Sequence, residues 1–296
     1  MIDYEGGIIA ITGPTASGKS EIAIRLAKDI NGYIINGDSR QIYKELNIGS
    51  AKPTPDKILN DGSWLIDGIE HYLFNQVSLS ENFTLFDYQK AVQRILDTKK
   101  DSKMIPIIVG GSGMYIDAVI YNYDLKENRK DVPLNDKTLE ELQEMTKELK
   151  EKINNSDWNN KHRLIRIVQR GGINQKKGKE LNNRYFVIDI EKELLKERIR
   201  NRIENMFVVG LEKENRVLLE KGYRYENSAL NSIGYMEFKG YFEGEKSLEI
   251  VKDEIYNNTL AYVKRQITWF KRNKNAIWTD NYDLVLKESL NLIKIL

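Results

Sequence analysis

The stretch that decides the fold is IIAITGPTASGKSEIA, at residues 8–23. Within it, GPTASGKS at residues 13–20 matches the phosphate-binding pattern G-x-x-x-x-G-K-[ST] at every fixed position. A β-branched apolar run precedes the glycines and apolar residues with helical spacing follow them, which predicts a strand, a loop and a helix in that order. Because loop amides and a helix N-terminus favour negative charge, the sequence predicts that this loop holds a phosphorylated ligand.

The residues of this loop have separate expected roles. Lys19 would reach the terminal phosphates, and the Ser20 hydroxyl would ligate Mg²⁺. The pattern leaves open which phosphate compound is bound and whether phosphate is transferred at all. The full set that we predict to bind the phosphates is Gly13, Pro14, Thr15, Ala16, Ser17, Gly18, Lys19 and Ser20.

Strand and helix patterns continue beyond the loop. Apolar runs typical of strands recur at residues 33–36, 105–109 and 185–190, with helical stretches between them. This alternation predicts an α/β fold, a P-loop NTPase-like parallel sheet covered by helices. Helical periodicity also covers residues 191–224 and a stretch from about 248 to 274.

One segment breaks this alternation. Residues 124–183 are dense in charge of both signs and then become polar, so we expect an inserted, mostly helical subdomain there. The P-loop core would consist of residues 1–123 and 184–296 and would include a basic C-terminal helix.

Composition excludes several classes of function. The chain has no Cys and only two His residues, His71 and His162, so disulfides, thiolate nucleophiles and Cys- or His-based metal clusters are not expected. No apolar run approaches the roughly 20 residues of a membrane span, and we expect a cytoplasmic monomer without membrane contact. The net charge of +2 does not by itself indicate nucleic-acid binding, so that case rests on where the charges lie.

Polar residues follow the second predicted strand, where the chain runs out into Asp38. The carboxyl ends of parallel strands form the ligand crevice of an open α/β sheet, so Asp38 is expected to face the loop that holds Lys19. Three roles are open for this carboxylate: a general base, an indirect partner of bound Mg²⁺, or the N-cap of the next helix.

A third predicted strand ends in VGGSGMY at residues 109–115. Its glycines would let the backbone approach a ligand at the same sheet edge, and the Ser112 hydroxyl could bond a phosphate oxygen. The strand lacks the terminal acidic residue that many phosphate-loop ATPases carry near Mg²⁺, which argues against a nucleotide-hydrolysing motor.

A cationic segment later in the chain reads TLAYVKRQITWFKRNK at residues 259–274. Its five cations have no acidic residue between them, and two aromatic residues lie among them. The pattern fits a helix that grips a nucleic-acid backbone. It fits equally a core helix with buried Trp269 and Phe270 and solvated lysines outside.

Eight segments, taken in order along the chain, resemble the tRNA dimethylallyltransferase family, also called the tRNA isopentenyltransferases. Together they span nearly the whole chain. They are GPTASGKS at 13–20, DSRQIY at 38–43, IGSAKP at 48–53, VGGSGMY at 109–115, HRLIR at 162–166, RIRNRIENMFVVGL at 198–211, IGYMEF at 233–238 and KRQITWF at 264–270.

The resemblance implies transfer of a dimethylallyl group from dimethylallyl diphosphate to the exocyclic amine of the adenine 3′ of the anticodon in tRNA, with release of diphosphate. The phosphate-binding loop would then hold a departing diphosphate, together with Mg²⁺ on Ser20. Asp38 would be the catalytic general base for the amine, and Ser112 would be a catalytic hydroxyl that contacts the diphosphate or the base pocket.

The resemblance also implies how the anticodon arm of tRNA is held. The target adenine must leave its stack and enter the crevice, and the insert and the basic helix would grip the arm. The residues implied to bind tRNA are Asp38, Ser39, Arg40, Gln41, Ser112, His162, Arg163, Arg166, Lys264, Arg265, Gln266, Trp269 and Lys271.

The chain departs from the family pattern where it would meet RNA. Asn160 stands where Asp is typical, and Leu260 stands where Arg is frequent.

Two other classes of function remain open. A P-loop small-molecule or nucleoside kinase would need an arginine-rich lid but not KRQITW, and a nucleotide-regulated RNA-binding protein would have no need of Asp38 or Ser112. A relative that modifies free adenine nucleotides is disfavoured by the insert and the basic segment.

Overall fold

The computed structural model describes residues 1–127, 134, 136–172, 175–227 and 229–294, so the predicted insert lies partly outside the described residues. Strands alternate with helices along most of the chain. The strands are β1 (Ile8–Thr12), β2 (Gly32–Asn36), β3 (Lys57–Ile58), β4 (Trp64–Ile66), β5 (Ile69–Tyr72), β6 (Ile105–Gly110), β7 (Tyr123–Asp124), β8 (Gln175–Lys177), β9 (Asn183–Ile188) and β10 (Ile277–Thr279).

The helices connect these strands and form an additional layer beside the sheet. They are α1 (Lys19–Asp29), α2 (Leu85–Thr98), α3 (Gly113–Ile120), α4 (Leu139–Met145), α5 (Asn155–Trp158), α6 (Lys161–Arg170), α7 (Lys192–Val209), α8 (Leu211–Glu220), α9 (Lys239–Phe242), α10 (Leu248–Phe270) and α11 (Tyr282–Ile293). Among the described residues, no helix is both long and apolar enough to cross a bilayer.

The main sheet has the strand order β10-β9-β1-β6-β2-β5-β4-β3. All neighbours from β10 to β5 are parallel, and β4 and β3 extend the sheet in antiparallel fashion. The predicted α/β class with a parallel sheet is therefore confirmed. Because β1, β2 and β6 are parallel neighbours, the loops that follow them emerge at one edge, and these are the loops that carry Lys19, Asp38 and Ser112.

The sheet is buried on both faces, as expected for parallel strands with continuous apolar sequences. Side chains of α2 and α3 pack with one face, for example Tyr88 and Ile116, and side chains of α1 and α11 pack with the other, for example Leu26 and Val285. Every residue of β1 is buried. This packing gives the three loops at this edge of the sheet a rigid base.

Helices α7 to α10 form a helical layer with its own apolar core. Ile199, Ile203, Phe238 and Val263 belong to this core, and so does Ala16 of the phosphate-binding loop. The helical layer therefore packs directly against the phosphate-binding loop and covers this edge of the sheet.

The insert has a small core of its own, built from Leu142, Leu164, Ile165 and other apolar residues of α4 and α6. Strands β7 and β8 pair in antiparallel fashion at the two ends of the insert and tie it to the sheet domain. The insert is helical as predicted over much of its described length, but the sequence analysis did not predict this ribbon, because strands of two and three residues leave no detectable periodicity.

The structure corrects the sequence predictions in two further places. The helical stretch predicted over 191–224 is divided at Gly210, whose φ of 113° favours glycine and ends α7. The basic helix α10 is not the C-terminal element of the core, because β10 and α11 follow it and return to the sheet. Strand β10 has only three residues, too few for a pattern to identify.

Candidate active site at the carboxyl edge of the sheet

The phosphate-binding loop lies between β1 and α1, as the sequence predicts. Its backbone takes left-handed conformations at Ala16, with φ 65°, and at Gly18, the N-cap of α1, with φ 87°. Gly13 also needs the absence of a side chain, since a Cβ there would lie 2.9 Å from the carbonyl oxygen of Ile188. Together these conformations produce the tight turn that exposes backbone N–H groups to an anion.

The side chain of Lys19 folds back onto this loop. Its Nζ donates to the carbonyl oxygen of Pro14 at 3.1 Å. Burial and the nearby Arg202 lower the pKa of Lys19 to about 8, while Asp38 acts in the opposite direction. An anionic ligand would favour the charged form of this amine, because it would offset the cost of burial.

Ser20 lies in the first turn of α1 with its side chain exposed. Within the described part of the chain, no three His, Cys, Asp or Glu residues converge to hold a metal ion. A single hydroxyl next to an anion-binding loop fits Mg²⁺, which keeps several waters and is held largely through ligand phosphates. The donor set here is thus suited to Mg²⁺ that arrives with a phosphorylated ligand.

Asp38 follows β2 at the same edge, and buried Asn36 fixes its backbone. The Asn36 Oδ1 accepts the Asp38 N–H at 3.0 Å, and the Asn36 Nδ2 donates to the carbonyl oxygen of Asp38 at 3.2 Å and to that of Leu73 at 3.0 Å. The Asp38 Oδ1 accepts the Arg40 N–H at 2.9 Å. The chain continues in turns, so the helix N-cap interpretation of Asp38 is wrong and the carboxylate closes a turn instead.

Ser112 joins the ends of β2 and β6. Its Oγ accepts the Ser39 N–H at 3.1 Å and lies 3.2 Å from the Ser39 Oγ. The backbones approach closely here, since a Cβ on Gly110 would lie 2.2 Å from the backbone of Gly37. The sequence predicted that these glycines let the backbone approach a ligand, whereas in the structure they let the protein's own segments pack together.

A cavity of about 340 Å³ opens between this edge and the helical layer. One part of its wall is polar and carries Thr15, Asp38, Ser39, Arg40, Ser112, Arg202 and Arg265. The other part is apolar and carries Ile199, Ile203, Met206, Ile233 and Ile255. The structure therefore joins the phosphate-binding loop, Asp38 and Ser112 in one site with an apolar compartment.

Two residues of this site escaped the sequence analysis. Arg202 extends from α7, and its Nη1 donates to the Thr15 Oγ1 at 2.9 Å. Tyr262 extends from α10, and burial together with Asp38 raises its pKa to about 12. Arg198 and Arg202 are four residues apart on one helix, and this spacing was the available signal.

Gln41 and Gln266 have their amides engaged within the protein. The Gln41 Nε2 donates to the carbonyl oxygens of Ser50, at 3.1 Å, and Ala51, at 3.2 Å. Gln266, predicted to bind tRNA, is 4% exposed and bridges two loops of the site. Its amide is already engaged within the protein, and contact of Gln266 with tRNA stays a prediction.

The remaining predicted residues of α10 divide between two faces. Lys264 and Lys271 are exposed on the outer face, and Arg265 is exposed as well but also lines the cavity. Trp269 faces inward, where its Nε1 donates to Asp117 at 2.8 Å, and a Cβ on Gly113 would lie 2.3 Å from its Cδ1. The core-helix interpretation of this segment is confirmed, since the aromatic residues pack inward and the cations are solvated, and the nucleic-acid contact of these cations stays a prediction.

Helix α6 of the insert presents His162, Arg163 and Arg166 to solvent. Arg163 forms an ion pair with Asp157. Arg166 lies close enough to Tyr115 to oppose the rise in the pKa of that tyrosine, which burial causes. The basic face of the insert thus borders the edge of the sheet that carries Asp38, although these three residues do not line the cavity.

These features define a class of protein: a phosphate-loop α/β protein whose sheet edge combines an anion-binding loop, a carboxylate and cations around a partly apolar cavity. A family model described as IPP transferase matches residues 41–273. The chain belongs to this family, and its members are transferases. Membership decides against the kinase alternative and against a non-catalytic RNA-binding protein.

Full-length relatives agree with this assignment. The chain is 34% identical to a tRNA dimethylallyltransferase of Oceanobacillus iheyensis, over 97% of this chain and 95% of the relative. It is 32% identical to a protein of the same name from Staphylococcus aureus, over 97% of this chain and 96% of the relative.

Solved structures agree as well. The full-length tRNA isopentenylpyrophosphate transferase of Bacillus halodurans is similar with a TM-score of 0.71 and 30% identity, over 98% of this chain and 96% of that one. A eukaryotic dimethylallyltransferase acting on tRNA has a TM-score of 0.73 and 22% identity, over 93% of this chain and 73% of that one, and it supports the fold.

Proposed function

We propose that this enzyme transfers a dimethylallyl group from dimethylallyl diphosphate to the exocyclic amine of the adenine 3′ of the anticodon in tRNA. The observation that carries the proposal is the cavity in which an anion-binding loop, a carboxylate and an apolar compartment meet. A prenyl diphosphate needs an anion site next to an apolar one, and an amine acceptor needs a base. Membership in the IPP transferase family supports the same reaction.

The diphosphate would bind to the backbone N–H groups of residues 18–20, where the loop meets α1, with Lys19 and Arg202 nearby to neutralise its charge. When bound on Ser20, Mg²⁺ would add to this neutralisation of the departing diphosphate. Because an allylic carbon tolerates positive charge, stabilising the leaving group lets the carbon–oxygen bond break early. The cations would therefore lower the barrier without delivering phosphate to any acceptor.

The dimethylallyl chain would occupy the apolar part of the cavity. Ile199, Ile203 and Met206 lie on one face of α7, next to Arg202, so the chain and its diphosphate would be bound side by side by one helix. The apolar wall would also exclude water from a carbon that hydrolysis could otherwise consume.

Asp38 is suited to act as the general base. The adenine amine is a poor nucleophile, because its lone pair is delocalised into the ring, and it must lose a proton as it attacks. The Arg40 N–H already orients the carboxylate through Oδ1, so the second oxygen can take the proton. Ser112 and Ser39, paired at 3.2 Å, would contact the base or the diphosphate beside it.

We further propose that the anticodon arm lies across the exposed cations of α6 and the outer face of α10. Arg163 and Arg166 on one side and Lys264, Arg265 and Lys271 on the other would contact phosphates. The adenine would be flipped into the cavity between them, at a cost of a few kcal/mol. We expect a monomer in the cytoplasm, where tRNA is found.

Incubation with dimethylallyl diphosphate, Mg²⁺ and unmodified tRNA tests the proposed function directly. Mass spectrometry of the digested tRNA should detect one isopentenyl increment on adenosine. A tRNA whose base 3′ of the anticodon is not adenine is the matched control and should remain unmodified. Absence of product with the first tRNA, or transfer of phosphate from ATP to a small acceptor, would refute the assignment.

A further inference from the structure

Gln266 connects the two loops that the reaction must bring together. Its Oε1 accepts the Thr15 N–H at 3.0 Å, and its Nε2 donates to the carbonyl oxygen of Gly111 at 2.9 Å. The orientation of the amide is determined by its partners, since one is a donor and the other an acceptor. Thr15 belongs to the diphosphate-binding loop, and Gly111 precedes Ser112.

The two loops leave the β-ladder just before these contacts. Strands β1 and β6 pair in register up to Thr12 opposite Gly110, where the Thr12 Oγ1 also donates to the Gly110 carbonyl oxygen at 2.9 Å. Beyond this pair the ladder ends, and the amide of Gln266 forms the next connection between the two segments. A buried side chain thus keeps the two segments connected after their strand pairing has ended.

The residues around the Gln266 amide accommodate these two hydrogen bonds. A Cβ on Gly111 would lie 2.5 Å from the Gln266 Nε2, so only glycine lets the amide approach. The Thr15 Oγ1 accepts Arg202 at 2.9 Å, which connects the same residue to α7. Tyr262, one turn before Gln266, donates to the Gly111 carbonyl oxygen at 3.3 Å. Thr15 and Gly111 are therefore held from helices α7 and α10.

We infer that Gln266 is a positioning residue that fixes the distance between the diphosphate-binding loop and the Ser112 turn. This inference rests on the proposed function, in which the first loop holds the prenyl donor and the second borders the acceptor adenine. Reaction requires the allylic carbon and the amine to lie about 3–3.5 Å apart, and a misplacement of 1 Å can cost about 10²-fold in rate. Gln266 therefore contributes to the transfer step without contacting either substrate.

The substitution Gln266→Met tests this inference, because it keeps a similar side-chain volume and removes both hydrogen bonds. Gln89→Met is the matched control. Gln89 is 3% exposed and its Nε2 donates to two carbonyl oxygens, of Ala118 at 2.8 Å and Tyr123 at 2.9 Å, but it lies away from the cavity. Both variants should lose stability, and both are assayed below their unfolding transitions.

We expect Gln266→Met to lower the single-turnover rate of prenyl transfer 10- to 100-fold at saturating substrates. The dissociation constants for tRNA, by filter binding, and for diphosphate with Mg²⁺, by calorimetry, should stay within about threefold, because neither substrate contacts the amide. Gln89→Met should keep the wild-type rate. If Gln266 only stabilised the fold, the folded variant would keep both its transfer rate and its affinities, so a loss of rate alone identifies a positioning role.

Two results would overturn the inference. One is a folded Gln266→Met variant with a wild-type transfer rate. The other is a loss of tRNA affinity as large as the loss of rate, which would mean that Gln266 contacts RNA. If Gln266→Met does not fold, Gln266→Glu serves instead, since its carboxylate can accept from Thr15 but repels the Gly111 carbonyl, and the same split is expected. A wild-type enzyme that transfers no prenyl group contradicts the proposed function rather than this inference.

Discussion

The substitution Glu214→Gln addresses how one wall of the cavity is held. Glu214, on α8, accepts backbone N–H groups from Asn47 at 3.1 Å, from Ile48 at 2.9 Å and from Gly49 at 3.1 Å. It also accepts the hydroxyl of Tyr235 at 2.8 Å. The segment after Ile48 lines the cavity, so this carboxylate anchors the wall to the helical layer.

The expected effect follows from the geometry of these bonds. Oε1 accepts from Ile48, Gly49 and Tyr235, and Oε2 accepts from Asn47 and Ile48. In either orientation, the NH₂ group of Gln would face at least one backbone N–H. A hydrogen bond to a charged group contributes about 1.5–3 kcal/mol, and Glu214 is only half-buried, so we expect the free energy of unfolding to fall by about 2 kcal/mol.

Urea unfolding, followed by intrinsic fluorescence, measures this loss. Glu212→Gln is the control in the same helix, since Glu212 pairs with Arg216 at 2.6 Å on the exposed side and should cost no more than about 0.5 kcal/mol. Below the transition, Glu214→Gln should also raise the KM for the prenyl donor. Equal losses for Glu214→Gln and Glu212→Gln would refute the anchoring role.

Three further outcomes are expected. Asp38→Ala should lower turnover by roughly 10²-fold or more while tRNA binding is retained, and lost binding with retained turnover would argue against a general base. Lys264→Ala should weaken tRNA binding and reduce the slope of log affinity against log salt by about 0.7–0.9, whereas an unchanged slope in filter binding would exclude a phosphate contact. Asp117→Asn tests how stability depends on pH. Burial raises the pKa of Asp117 from 3.8 to about 6, so the folded state holds this proton more tightly than the unfolded state does. The resulting gain in the free energy of unfolding is present below about pH 4 and is lost as the pH rises through about 6. The wild type should therefore lose more stability than Asp117→Asn between pH 4 and 6, and parallel urea titrations would contradict this.

The sheet and its catalytic edge could be predicted because their signals are local. The glycine motif at residues 13–20 and the buried β-branched runs specify a strand, a loop and a helix without reference to the rest of the chain. The parallel arrangement then brings the ends of β1, β2 and β6 together, so Asp38 and Ser112 could be expected near Lys19.

What the sequence did not indicate are contacts made by long-range packing. Gln266 stands in a cationic segment whose composition suggested RNA contact, yet its amide faces the glycine turn after β6. For Trp269 the same segment left the inward position open, and packing against Gly113 decides it. The spacing of Arg198 and Arg202 marks a cationic face of α7, but the contact of Arg202 with Thr15 depends on where α7 packs over the loop. Short strands such as β10 form only because a neighbouring strand offers its edge.

The return of the chain to the sheet after α10 has a consequence for biosynthesis. Strand β10 pairs with β9, and α11 covers the apolar cluster around Phe186 and Val285. A nascent chain that has emerged as far as α10, but not yet as far as β10 and α11, would expose apolar side chains on one face of the sheet. The sheet therefore becomes fully covered only in chains that already contain α10 and its cavity-lining residues, and interrupted chains stay exposed to chaperones and proteases.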